Sequence, residues 1–147
     1  MNSINKNNNA KRVAIIANTN HKTHLIEWAF ANKEVLSQQE IFANGKTALV
    51  LEGTLNTPVT ELASRTLGGY RDLTKLISRG LMDVLIILNA DTISEKRQKQ
   101  ISELLHTAME QNIVVAVNQA TADIVIRTLA ANASDTGENP GHLSAVV

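Results

Sequence analysis

Any chemistry in this 147-residue chain has to come from a few short polar segments that interrupt its apolar runs. The segment TLGGY places Gly68 and Gly69 just before a predicted helix. Two glycines there let backbone N–H groups approach an anion at a helix N-terminus. Ser64 and Thr66 add hydroxyl donors, and Lys22 supplies one full positive charge. The segment Asn44-Gly45-Lys46-Thr47 repeats the theme, with a glycine, a cation and a hydroxyl at a predicted helix start. Together Lys22, Lys46, Thr47, Ser64, Gly68 and Gly69 read as a phosphate or carboxylate site, although capping and turn chemistry accounts for each piece separately. Neither glycine segment is a nucleotide fingerprint: GGY is not GxGxxG, and NGKT is too short for GxxxxGK(S/T).

Proton transfer needs a carboxylate or histidine near that site. Of the histidines, His24 falls in a predicted helix, His106 beside the apolar stripe of another, and His142 in an irregular tail, which leaves His21. Among the carboxylates, Asp91 follows the most apolar strand and is the best bare catalytic candidate. Asp72 and Asp123 read as helix-start carboxylates. The turn Glu95 to Gln100 carries Lys96, Arg97 and Lys99 and reads as a solvated helical surface. Trp28 and Tyr70 offer stacking surface for one nucleic-acid base at most.

These segments are positioned by alternating elements. VAIIA (13–17), DVLIIL (83–88) and IVVAV (113–117) are apolar runs of the kind found in buried parallel strands, and residues 39–43 read as another. Leu25, Ile26, Ala29 and Phe30 predict a helix with one buried stripe over 23–35. Helices are also expected from residue 46, over 94–111 and over 120–131; a fourth, with Leu73, Leu76 and Ile77 on one face, ends at Gly80. Residues 55–63 hold a short strand or turn around Pro58. The alternation predicts an α/β fold, a mostly parallel sheet covered on both faces, with function at the C-terminal ends of its strands. Residues 1–10 read as a disordered tail, 11–131 as the domain and 132–147 as a flexible or altered extension.

Composition narrows the function classes. With no cysteine, disulfides, thiolate metal sites and cysteine nucleophiles are excluded, and no metal site is expected. Fourteen basic residues balance fourteen acidic ones, so no protein-wide field gathers nucleic acid, and no nucleic-acid partner is expected. The polar first ten residues hold no signal-peptide stretch and no apolar run could cross a bilayer, so the expectation is a cytoplasmic protein without a membrane partner.

From Arg12 to Leu129 the chain resembles the methylglyoxal synthase family. The resemblance is carried by KRVAIIANTNHK, FANGKT, RTLGGYRDLTKLISRGLMDVLIIL and NIVVAVNQATADIVI. It implies a doubly wound, Rossmann-like three-layer α/β domain assembled as a homo-oligomer, typically a hexamer. It also implies an enzyme without a cofactor. Such an enzyme takes a proton from dihydroxyacetone phosphate, forms an enediolate and eliminates phosphate to leave methylglyoxal. Residue by residue, the phosphate half is partly kept. The family's lysine falls on Lys22, its hydroxyl-rich loop on residues 43–48 with Thr47 retained, and its serine on Ser64; its next glycine becomes Arg65, and Gly68 and Gly69 remain. The chemical half is replaced. The family's aspartate base falls on Tyr70, its His-Asp pair on Asn18 and Thr19, and the aspartate after DVLI on Ala90. The catalytic histidine falls on Arg97 and a nearby aspartate on Gln100. Tyr70, with an ordinary pKa of about 10, is a poor base near neutral pH. Two readings follow. One is a pseudoenzyme that binds phosphate or a small phosphorylated metabolite. The other is an active methylglyoxal synthase using relocated groups, with Asp91 as the substitute.

Overall fold

The structure, a computed structural model, describes residues 10–17, 22–62, 68–88 and 95–135. Among the described residues, five strands form one sheet: β1 (Arg12–Ala17), β2 (Glu40–Asn44), β3 (Thr60–Leu62), β4 (Val84–Leu88) and β5 (Val114–Ala116). Their order is β3-β2-β1-β4-β5 and every pairing is parallel. The order reverses at β1, so this is the doubly wound sheet expected from the alternating pattern. The run VLIIL is buried along its whole length because β4 is an inner strand with helices on both faces.

Two apolar layers flank the sheet. Val13 and Ile15 of β1 face one layer, where they meet α1 (Lys22–Ala31), α2 (Lys33–Leu36), α3 (Gly45–Leu55) and α6 (Gln119–Asp135). Ala14 and Ile16, alternating with them, face α4 (Gly68–Ser78) and α5 (Glu95–Glu110). At the end of the sheet away from the helix starts, Arg12 clamps β1 to the start of β4. Its backbone N–H donates to Asp83 Oδ2 at 2.8 Å, Nε donates to the same oxygen at 3.1 Å, and Nη2 donates to Oδ1 at 3.2 Å. Burial alone would raise the Asp83 carboxyl, but the hydrogen bonds and charge of Arg12 outweigh it and hold it below the usual carboxylate range.

Helix ends follow local chemistry. After α4, Gly80 takes φ 73°. Its N–H donates to Ile77 O at 3.0 Å and that of Leu81 donates to Leu76 O at 2.9 Å, the paired bonds of a Schellman stop at the predicted glycine. Asn112 (φ 55°) ends α5 in the same way, and Asn56 (φ 54°) ends α3. Asn118 Oδ1 accepts from the N–H of Thr121 at 2.9 Å and caps α6.

Four expectations need correction. The helix over 23–35 is two helices. Asn32 leaves helical geometry (φ −111°, ψ 18°) while its side-chain amide donates to Trp28 O at 2.8 Å, competing for a carbonyl the helix would use. The buried face of α1 is Leu25, Trp28 and Ala29, and Phe30, expected inside, is 67% exposed. Finally, β5 is a three-residue edge strand, and Val114 is 49% exposed because only β4 covers its side. The last helix also runs on to Asp135, past its last large apolar contact at Leu129.

Candidate functional site

Because all five strands run the same way, the helices that follow them start at one rim of the sheet. Lys22 is the first residue of α1 and is exposed there. Gly45, Lys46 and Thr47 are the first three residues of α3, and Gly68 and Gly69 the first two of α4. These helices follow β1, β2 and β3, three adjacent strands. The structure therefore brings Lys22, Lys46, Thr47, Gly68 and Gly69 to one side of the rim. Ser64, Thr19, Ala90, Asp91, Asn18, Arg65 and His21 lie outside the described residues.

The start of α3 lacks a side-chain cap from its own N-cap residue. Asn44, at its N-cap, has extended backbone (φ −75°, ψ 161°) and makes no side-chain capping bond. Lys46 is exposed, whereas Thr47 is only 4% exposed. Glu61, on β3, stands beside this turn. Its Oε2 lies 3.0 Å from the position a β-carbon on Gly45 would take.

Tyr70 is the third residue of α4 and is 7% exposed, packed with Ile16, Leu62 and Leu73. Burial raises its phenol above the ordinary value, and the charge of Arg97 only partly offsets this. At neutral pH it is a neutral phenol and a hydrogen-bond donor. Arg97 and Gln100 sit in the first two turns of α5. Tyr70 and Gln100 share a cleft of about 210 Å³ between α4 and α5 with Arg71, Thr74, Lys75 and Glu103. Of the positions where the resemblance puts acid–base groups, the three described ones, Tyr70, Arg97 and Gln100, thus gather on the α4–α5 side without a carboxylate or imidazole among them. Asp72 is half-buried on α4.

A second, larger groove of about 490 Å³ lies between α1 and α6, lined by His24, Glu27, Trp28, Asp123 and Arg127 among others. It is not legible in the sequence, since it depends on Trp28 Nε1 donating to Asp123 Oδ1 at 3.0 Å across 95 residues of chain. This bond corrects two expectations. Asp123 anchors an indole, with the helix start capped by Asn118 instead, and Trp28, 6% exposed, is no stacking platform. His106 faces Glu110 at 3.5 Å on the exposed side of α5, away from the rim. Among the described residues no three His, Asp or Glu side chains form a metal-holding group, and no helix is long and apolar enough to cross a membrane.

No protein-family model matches the chain. The chain is 33% identical over 117 residues to the methylglyoxal synthase of Photorhabdus laumondii subsp. laumondii, covering 80% of this chain and 77% of that protein. It is 33% identical over 116 residues to the methylglyoxal synthase of Coxiella burnetii, covering 79% and 81%. Among solved structures, that of methylglyoxal synthase from Elizabethkingia anophelis NUHP1 matches with a TM-score of 0.67 over 80% of this chain and 78% of that one. At 22% identity this last likeness speaks to the fold alone. Identity at a third of the positions, spread over four-fifths of the chain on the doubly wound sheet described above, leads to one conclusion: the chain belongs to the methylglyoxal synthase family.

Proposed function

We propose that this member of the family holds phosphate or a small phosphorylated metabolite at the strand C-terminal rim and has lost the proton-transfer chemistry. The observation that carries the reading is Tyr70. It occupies the position where the resemblance puts a carboxylate base, and it is 7% exposed with its phenol raised by burial. A base must be unprotonated at working pH and within reach of the proton it takes, and a buried neutral phenol fails the first condition. The binding half is supported by the start of α3, where Asn44 makes no side-chain capping bond, and by the exposed Lys22 and Lys46. Assembly as a homo-oligomer, a hexamer by family resemblance, belongs to the same reading; exposed Phe30, Leu49 and Met109 give it apolar surface to cover.

Purified protein incubated with dihydroxyacetone phosphate is expected to release neither methylglyoxal nor free phosphate above the uncatalysed background. Turnover would overturn the reading and assign the proton transfer to a relocated carboxylate, with Asp91 and Asp72 as the residues to substitute next. Calorimetric titration of inorganic phosphate against wild type and Lys22→Ala tests the binding half, and weaker binding by the variant is expected.

A further inference from the structure

We infer that the ligand held at the rim is a phosphorylated carboxylic acid, whose carboxylate enters the cleft between α4 and α5 and meets Arg71 and Lys75 there. The inference rests on reading the rim as a phosphate site and names the class of metabolite that such a site takes.

The cleft adjoins that rim. Both α4 and α5 follow strands of one parallel sheet, so both begin at the rim and run away from it side by side. Tyr70, in the cleft wall, is the third residue of α4 and belongs to the same core cluster as Ile16, the next-to-last residue of β1. Lys22 begins the helix that follows this strand. The upper end of the cleft therefore lies under the strand end that leads to the rim lysine. Its volume of about 210 Å³ is below that of pockets for drug-sized ligands and suits a carboxylate with its neighbouring carbons.

The charges in the cleft are ordered. Arg71, Lys75 and Glu103 line it, and the charge of Arg97 acts on the Tyr70 phenol at its upper end. Arg71 and Arg97 stand in the first turns of their helices. At about 1.5 Å per helical residue, Lys75 lies about 6 Å beyond Arg71 along α4, and Glu103 about 9 Å beyond Arg97 along α5. The one lining carboxylate is thus at the end away from the rim. Among the described residues neither Arg71 nor Lys75 makes an ion pair, with Glu103 or with any other group. Tyr70, protonated at neutral pH, adds a hydrogen-bond donor without a negative charge, and Gln100 adds an amide. A ligand hydroxyl gains little from two cations. A carboxylate gains from both, and the planar fork of Arg71 suits its two oxygens. Opposite unit charges about 4 Å apart in water attract by roughly fivefold in affinity, so two cations opposed by the more distant Glu103 give about tenfold.

The test compares two three-carbon probes by calorimetric titration at fixed ionic strength. In 3-phosphoglycerate one end is a carboxylate; in glycerol 3-phosphate that end is a hydroxymethyl group. Each is titrated against wild type and the double variant Arg71→Gln/Lys75→Gln, whose changes lie at exposed positions. Thermal melting checks that the variant folds. Wild type is expected to bind 3-phosphoglycerate about tenfold more tightly, and the double variant is expected to lose most of that preference while its affinity for glycerol 3-phosphate changes less than about twofold. Equal, measurable affinity of wild type for the two probes would overturn the inference while leaving the phosphate site standing. A preference that survives in the double variant would also overturn it, because the carboxylate would then be held elsewhere. An equal loss for both probes would overturn it too, since the cations would then serve the phosphate. Binding of neither probe by wild type would remove both the inference and the phosphate reading.

Discussion

Replacing Tyr70 tests whether the rim has exchanged a reactive group for a packing one. The side chain is 7% exposed and embedded among Ile16, Leu62 and Leu73 beneath α4. Truncating a buried aromatic to alanine costs about 3–5 kcal/mol. The low end applies here, about 3 kcal/mol, because Tyr70 also lines an open cleft rather than a closed core. For a chain this size each kcal/mol moves the midpoint of thermal unfolding by about 2–4 °C, so Tyr70→Ala is expected to melt about 10 °C lower. Tyr70→Phe keeps the ring and is expected to lose less than about 1 kcal/mol. Ionisation gives a second readout, since Tyr70 is the only tyrosine in the chain and phenolate absorbance near the red edge of the aromatic band reports it alone. Burial first, with the Arg97 charge opposing it, places the native pKa above the unfolded value of about 10. Below pH 10 both states hold the proton and the full contribution to stability is present. As pH rises past 10 the unfolded chain releases its proton first, so stability falls until the folded pKa is reached. Wild type is therefore expected to lose stability relative to Tyr70→Phe above pH 10. A native titration midpoint at or below 10, or a Tyr70→Ala cost under about 1 kcal/mol, would refute the claim that this residue is a packed, protonated phenol.

Two further predictions concern the scaffold. Asp83→Asn is expected to cost about 1–2 kcal/mol near neutral pH, because each side chain of the Arg12–Asp83 pair is about one-third exposed and solvent weakens it. The Asp83 carboxyl lies below its unfolded value, so the cost is expected to hold above about pH 4 and to shrink as pH falls through the lower native pKa; urea unfolding at several pH values reads this. Gly80→Ala is expected to cost about 1 kcal/mol in the same assay, since φ 73° strains any side chain even though no atom lies within 4 Å of the added carbon.

What the sequence disclosed, and what it withheld, divides by range. Continuous apolar runs announced β1 and β4, and a glycine after Ser78 and Arg79 announced the end of α4, because both signals are local. The half-exposure of β5 was not legible, since nothing in IVVAV says that it sits at an edge. Likewise Ile26 and Phe30 are spaced like a buried stripe, but the sheet takes the neighbouring stripe of Leu25, Trp28 and Ala29. At the rim, the helix starts carrying Lys22, Lys46 and Gly68 were readable from glycines and polar residues after strands. The carboxylate of Glu61 beside Gly45 was not, because it depends on a one-residue choice of register between β2 and β3. The bond from Trp28 to Asp123 was hidden for the same reason at longer range.

On the function proposed above, the sheet itself explains how binding can persist where proton transfer does not. Tyr70 is held by the layer of α4 and α5, whereas Ala43 and the start of α3 belong to the opposite layer. The supports of the two functions are thus packed against different faces of β1 and β4, and a change in one core need not repack the other. On the α4–α5 side, a carboxylate base would have to be desolvated among Ile16, Leu62 and Leu73, which opposes its charged form. An aromatic there gains burial instead. With tyrosine in that place no charged group has to be held there, and the packed ring is the more stable occupant. On the α3 side the balance differs, because Lys46 and Glu61 are exposed, so residues beside Gly45 can change without repacking either core.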